Sequence, residues 1–494
     1  MQAKTIIYKT FMLLFFCAYL SVFGKVIFAD NIHQYSTTTL LQYLALGFAI
    51  IVLSYYLFNK YHSQIQKYYR IILIAFLAVY GIAILINGFR LRFTPAFDMD
   101  AIYGGAIQWL QEGSFTNYYE YYGYFPNNLG AMTILHTVFG LASLFGISDF
   151  FAVGIVFNSL LLTATVFVVS LTCRKIRDEV AGVMALVFFL LCIPFLFMGA
   201  VFYTDSLSLL FPSLFYYLYL HFKEQDTRKK QLLFAVLMGV TLAVGMLIKF
   251  TVLIILIAVV IDSLLCMHWK SVCLFTGCSL FLAFAIFGSM NTYMYHAHLD
   301  KEECEKLNTP YLHWVMMGMQ NNGWYNPEDY EFTRSLSPKE RNSAILDRIR
   351  ERLENMGVSG TTELFMNKAA VCFGDGTFAL SDFLDDTPDK EREIHKYILY
   401  AGENYSKYQH LTTGMLLTVY LFMLIGAIQA LREKELKSSI FLAPRLASLG
   451  ILTFLLLWET SGRYFTNFVP LMLVCAVLSL ERITQKTPQK NTRN

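Results

Sequence analysis

Two carboxylates two residues apart, in Phe97-Asp98-Met99-Asp100, stand between an apolar stretch and an aromatic run, in a chain that is otherwise mostly apolar. An ionised Asp is costly in hydrocarbon and costs little in a wet cleft, so carboxylates at a membrane face are hydrated, paired or put to use. A carboxylate beside a hydroxyl can take its proton as the oxygen attacks an electrophile. Asp98 is the favoured base. Asp100 precedes Ala101 to Leu110, which reads as a short amphipathic helix, so it serves equally well as that helix's N-cap, and the choice between the two stays open.

A third carboxylate, Asp205 in Tyr203-Thr204-Asp205, falls at the turn between two apolar segments and faces the same compartment. It can cap a helix, bind an acceptor together with Asp98, or help hold a divalent cation; Mg or Mn would fit only if waters or phosphate completed the shell. A phosphate leaving group needs fixed positive charge. Lys249, at a short turn between two spans, and Arg463, followed by Tyr464 in Trp458-Glu459-Thr460-Ser461-Gly462-Arg463-Tyr464, are placed to supply it. Arg90 and Arg92 lie on the same face, where snorkelling to headgroups explains them. Tyr118, Tyr119, Tyr121, Tyr122 and Tyr124 suit either interfacial anchoring or stacking on a sugar. His313, Gln320 and Trp324 belong to an aromatic and amide cluster of the kind carbohydrate surfaces use, with packing as the alternative.

These residues must be positioned by membrane helices. Of 494 residues, 56% are hydrophobic and 15% charged, and the mean hydropathy is +0.47, more apolar surface than a soluble core of this length can bury. About 20 apolar residues cross the hydrocarbon as a helix. About twelve such segments are expected, near residues 6–28, 39–58, 70–89, 150–172, 180–201, 203–221, 231–247, 249–266, 272–295, 409–430, 439–457 and 464–481. Lys60, Lys67 and Arg70; Arg174, Lys175 and Arg177; Lys223, Arg228, Lys229 and Lys230; Lys270; and Arg432, Lys434 and Lys437 fall on alternate loops, which are cytoplasmic by the positive-inside bias. Both termini are then cytoplasmic and Asp98 extracytoplasmic. Residues 128–146 are apolar enough to cross, but counting them would put Arg174, Lys175 and Arg177 outside, so they are expected to form a juxtamembrane or re-entrant helix carrying His136.

The expected organisation is a membrane domain over 1–295 with the catalytic outer loop at 90–149, an extracytoplasmic segment at 296–408, three last helices at 409–482 and a cytoplasmic tail at 483–494. The first span is expected to be retained, since no convincing cleavage site follows it. Cys304 and Cys372 fall on the outer face, as a disulfide or as two free thiols. No cysteine and histidine spacing suggests zinc, and no Gly-rich loop or Walker-type Lys suggests a nucleotide.

The chain resembles the GT-C type glycosyltransferases that use polyprenyl-phosphate sugars, a group including protein mannosyltransferases and aminoarabinose transferases. Four features in order carry the resemblance: Asp98-Met99-Asp100 in the first large outer loop; Tyr124-Phe125-Pro126-Asn127-Asn128-Leu129-Gly130 leading into a juxtamembrane helix; Lys249 between two middle spans; and Glu459 to Tyr464 before a final span containing Pro470. Two spans precede the family's usual first one, and Asp-x-Asp stands where protein mannosyltransferases have Asp-Glu. The segment from His313 to Tyr330 looks more like Gram-positive bacterial members.

The resemblance implies an all-α polytopic bundle in a bacterial cell membrane. It would transfer a sugar from undecaprenyl phosphate to a cell-wall polymer, glycolipid or protein, with Asp98 or Asp100 as base. Lys249, Arg463 and Tyr464 would hold the donor phosphate. Tyr124, His313, Gln320 and Trp324 would bind sugar or acceptor, with Asp205 on the acceptor or a metal. The expected partners are that donor, an envelope glycan or glycolipid, and the bilayer, with no nucleic acid. A lipid-linked glycan transporter is the rival, although repeated halves and midplane charges are missing; a polysaccharide polymerase or ligase is a third reading.

Overall fold

The computed structural model describes residues 2–28, 35–384, 392–432 and 442–482. The expected tail at 483–494 lies outside them, as do Lys434, Lys437 and the start of the segment expected at 439–457. Three long helices open the chain, α1 (Gln2–Phe28), α2 (Thr37–Lys60) and α3 (His62–Arg90). The first large loop holds α4 (Phe97–Glu112), α5 (Tyr119–Tyr124) and α6 (Leu129–Ser143). There follow α7 (Phe150–Ile176), α8 (Glu179–Leu191), α9 (Thr204–Leu207), α10 (Leu210–Lys223), α11 (Arg228–Ile248), α12 (Leu253–Cys266) and α13 (Trp269–Ala297). The second large segment contains α14 (Lys301–Leu307), α15 (Tyr311–Gly318), α16 (Pro327–Ser335), α17 (Pro338–Gly374), α18 (Ser381–Leu384) and α19 (His395–Ile398). The last helices are α20 (Tyr405–Arg432), α21 (Leu442–Leu457) and α22 (Val469–Leu478).

Every segment expected to cross the membrane contains a helix, and among the described residues 7 helices are long and apolar enough to do so: α1, α2, α3, α7, α11, α13 and α20. Four shorter apolar helices stand beside them, including α8, α12 and α21. In α2, α3 and α13 only 22% of the most apolar window is covered by protein, whereas 78% is covered in α20. The first three therefore form the lipid-facing boundary, and α20 runs through the centre against α1, α2 and α22. α6 has 15 residues, fewer than the roughly 20 that a crossing needs, and packs along α4 and α7.

The short helices are short because the chain leaves helical form at one end of the bundle. After α8 it passes through two 3₁₀ turns, Ile193–Leu196 and Met198–Ala200, before α9. Lys249 and the turn Phe250–Val252 separate α11 from α12, and residues 458–465 with the turn Thr466–Phe468 separate α21 from α22. Irregular backbone at membrane depth needs replacement hydrogen bonds. Buried Asn158 of α7 donates to the carbonyls of Met198 at 2.7 Å and Val201 at 3.1 Å, and Asn87 of α3 donates to that of Leu196 at 3.1 Å.

Two expectations are refined. The helix expected from Ala101 starts at Phe97, whose φ is +50°, and its N-cap position is held by Ala96. Asp100 is thus inside the first turn with Asp98, where the helix dipole favours both carboxylates, and it is not the cap. Cys304 and Cys372 are both buried free thiols.

The segment after α13 builds a small helical unit with its own core of Met316, Met319, Ile345, Ile349 and Leu364. Asp329, fully buried, ties it together by accepting from Arg352 at 2.7 and 2.8 Å, from Arg348 at 3.3 Å and from Gln320 at 2.8 Å. The helix expected near Ser337 to Asn355 is the first half of α17. It breaks at Gly357, where φ +60° and ψ −169° are natural only to glycine, and its second half runs back toward the bundle.

Candidate functional site

Asp98 is half-buried, and both of its carboxylate oxygens are engaged. Tyr121 of α5 donates to Oδ1 at 2.9 Å, and Tyr203, in the break before α9, donates to Oδ2 at 3.1 Å. The Tyr121 hydroxyl in turn accepts from Asn128 Nδ2 at 2.5 Å. Two hydroxyl donors fix the carboxylate's direction and leave it the lone pairs needed to accept a further proton.

Beside it lies a charged cluster built from the other helix breaks. Asp205, 3% exposed, pairs with Lys249 through Oδ1. Its Oδ2 stands 3.7 Å from Arg463 Nε, an ionic contact too long for a hydrogen bond. Lys249 Nζ lies 5.3 Å from the centre of the Tyr464 ring. The Arg463 guanidinium is packed among Tyr203 at 5.4 Å, Phe383 at 5.0 Å and Tyr464 at 5.4 Å. One carboxylate between two cations leaves the group net positive, and aromatic walls keep water from screening it. Tyr203 joins the two parts, bonding to Asp98 while its ring faces Arg463.

Position follows from close packing. A Cβ on Gly130 would fall 2.0 Å from the Leu247 carbonyl, so α6 can seat itself against the end of α11, next to Lys249, only with glycine there. The Arg463 loop is gripped by the helical unit: Lys368 Nζ donates to the carbonyls of Gly318 at 2.8 Å and Trp458 at 2.7 Å, and Thr460 N donates to that of Gly323 at 2.8 Å. Lys368 is fully buried, which pushes its ammonium down to about 8. Glu459, 8% exposed, accepts from Tyr464 at 3.1 Å, and burial raises its carboxyl above the ordinary range against the pull of Arg463.

Of the residues singled out in the sequence, the structure brings together Asp98, Asp205, Lys249, Arg463 and Tyr464. Asp100 turns away to accept from Tyr118 at 3.2 Å, and burial raises its carboxyl too. Tyr124 stacks under Arg334, 4.1 Å from its guanidinium carbon, and accepts from it at 2.5 Å. His313 is wholly buried, its Nδ1 2.6 Å from Thr333 Oγ1, and burial pushes the imidazole down to about 4. Gln320 serves the Asp329 network, and Trp324 is 46% exposed on the helical unit. Four residues take parts that sequence reasoning did not give them: Tyr121, expected only to anchor or stack, Glu459, seen only as the start of a motif, and Tyr203 and Lys368. Tyr203 could have been found from its place beside Asp205 at a helix break. Tyr121 has no local mark distinguishing it from its tyrosine neighbours.

The residues present do not suit a divalent cation. Asp205 is already engaged by Lys249 at Oδ1 and by the longer ionic contact with Arg463 at Oδ2, Asp98 accepts from two hydroxyl donors, and among the described residues no three His, Cys, Asp or Glu side chains converge. What the site can do without one is accept a proton at Asp98 and receive an anion at Lys249 and Arg463.

Over residues 1–484 the chain matches the model of a family described as conserved hypothetical integral membrane protein. No curated protein matches it. With apolar helices of spanning length and a family match running nearly end to end, the chain belongs to this family of integral membrane proteins.

Proposed function

We propose that the protein is a GT-C type glycosyltransferase of a bacterial plasma membrane, with cytoplasmic termini and the Asp98 end of the bundle outside. It would move a sugar from undecaprenyl phosphate to a hydroxyl of an envelope glycan, glycolipid or protein. The observation that carries this is the juxtaposition of a hydrogen-bonded carboxylate, Asp98, with the buried cations Lys249 and Arg463, in a bundle end where three helices give way to turns.

Asp98 takes the acceptor hydroxyl's proton as that oxygen bonds to the anomeric carbon. The bond from that carbon to the phosphate oxygen breaks, and its electron pair leaves on undecaprenyl phosphate. Attack from the face opposite the phosphate inverts the anomeric centre. Lys249 and Arg463 meet the developing charge, held in place by Asp205 in advance of the reaction. The donor's phosphodiester stores the energy, so no nucleotide is required.

The test is release of undecaprenyl phosphate from a panel of undecaprenyl-phosphate sugars by the purified protein, with and without membrane extract supplying acceptor. Acceptor-dependent release that Asp98→Asn abolishes supports transfer with Asp98 as base. Loss in Asp100→Asn alone moves the base to Asp100. No release from any donor, together with movement of lipid-linked glycan across proteoliposomes, replaces this reading with transport.

A further inference from the structure

At the end of α13 the chain turns through His298, Leu299 and Asp300 into α14, and Tyr119 of α5 closes over this corner. The space between them is a cleft of about 880 Å³, within the range of small-molecule sites. Tyr119 and Tyr295 give it aromatic walls, and Asn291, Thr292 and His298 give it polar ones. None of these residues takes part in the cluster around Asp98.

Several observations converge on what it would hold. Asp300 and Glu302 also line the cleft, against a single ammonium on Lys301, so its charge repels a phosphate. An amide, hydroxyls and carboxylates beside aromatic rings suit a polyhydroxylated ring, whose C–H faces lie on the rings while its hydroxyls are bonded at the edges. The cleft is also fixed in advance. The Tyr119 hydroxyl accepts from the Asp300 backbone N–H at 3.0 Å and donates to Glu303 at 2.9 Å, which locks the ring. His298 is wedged against Trp109 at 4.9 Å and Phe115 at 5.3 Å, and its Nε2 is buried with no hydrogen-bond partner. That packing holds the imidazole rigid at the floor of the cleft.

Location narrows the source. α13 belongs to the lipid-facing boundary of the bundle, and the cleft opens at its end, where a spanning helix emerges from hydrocarbon. We propose that it is a binding site for an uncharged sugar, presented as the headgroup of a glycolipid. It stands on its own lining and holds whether or not Asp98 transfers a sugar. It lies on the other side of α5 from the reacting centre: Tyr119 faces the cleft and Tyr121 faces Asp98.

The experiment uses the full chain in nanodiscs and reads tryptophan fluorescence, to which Trp109 contributes through its contact with His298. Nanodiscs carry monoglucosyl-diacylglycerol, phosphatidylglycerol as a charged control, or neither, with free maltotriose added in a separate arm. Saturable binding of the glycolipid, weakened about tenfold by Tyr295→Ala through loss of one stacking face and unchanged in Asp98→Asn, supports the site. Thr292→Trp, at an exposed position, fills the cleft without removing a packing side chain and should block binding in a protein that still elutes as wild type. Binding of maltotriose as tight as that of the glycolipid would keep the sugar site and overturn its lipid source. No binding of either sugar, tighter binding of phosphatidylglycerol, or binding that survives both Tyr295→Ala and Thr292→Trp overturns the proposal. Loss of sugar transfer leaves this result untouched, so the two readings fail separately.

Discussion

Asp205 and Asp262 are both buried aspartates paired with a lysine near a tyrosine, at opposite ends of the bundle, and they do different things. Asp262, 0% exposed, accepts from Tyr219 at 2.7 Å, with Lys223 Nζ 3.6 Å away. Tyr219 and Lys223 belong to α10 and Asp262 to α12, both regular there, and Lys223 spends a hydrogen bond on Cys266 Sγ at 3.2 Å. Asp205 sits where α8, α11 and α21 give way to turns, is flanked by a second cation in Arg463, and reaches Asp98 through Tyr203. The same residue types make an isolated tie inside regular helices and part of a larger charged cluster where the helices break. A buried charge in a membrane is by itself no sign of chemistry; what marks the site is irregular backbone, a second cation and a carboxylate left able to accept a proton.

Breaking each tie should separate them. Lys249→Met leaves Asp205 without its hydrogen-bonded partner and should cost about 3–5 kcal/mol in thermal or denaturant unfolding as well as abolish transfer. Adding Asp205→Asn should restore most of the stability and none of the transfer; recovery of transfer would show that Lys249 only neutralises Asp205. Next in size, Asp98→Asn should slow transfer by about 10²–10⁴-fold with an unchanged melting temperature, because an amide oxygen still accepts from a tyrosine. Asp100→Asn, whose amide oxygen likewise still accepts from Tyr118, should stay within about fivefold of wild type.

Lys223→Met sharpens the contrast from the other side. It should lower stability by about 2–4 kcal/mol, less than Lys249→Met because the lysine is farther from its aspartate, with transfer per folded molecule intact; a fall in turnover would tie the two ends functionally. The smallest effect is one of pH. Burial raises the Glu459 carboxyl, so the folded protein keeps a proton that the unfolded chain has lost above its ordinary value of 4.5. That contribution to stability is fully present below the unfolded value and fades as pH rises through the raised one. Glu459→Gln should flatten this part of the stability curve, read as melting temperature against pH from the ordinary glutamate range upward.

Asp98, Asp205, Lys249 and Arg463 were legible because a charge in an apolar chain, placed where a span should end, has few ways to be tolerated. Sequence did not show that Asp98 is held by Tyr121, since five tyrosines in one run look alike and only a 3₁₀ turn followed by a six-residue helix sends Tyr118 to Asp100, Tyr119 to Glu303 and Tyr121 to Asp98. His313 and Gln320 carry the same marks as a sugar-binding cluster, yet here those marks come from packing: Thr333 and Asp329 meet them inside the helical unit. Lys368 was invisible because its task, tying Gly318 to Trp458, joins stretches far apart in the chain.

The centre draws Asp98 from the first third of the chain, Asp205 and Lys249 from the middle and Arg463 from near its end. Membrane helices emerge in order during synthesis. A chain halted after α13 would already carry Asp98, Asp205 and Lys249, but neither Arg463 nor the Trp458 carbonyl that Lys368 grips. The arrival of α21 and α22 is therefore the step that completes the cluster, and on the proposed reaction a product halted before it would leave the lipid-linked donors around it untouched.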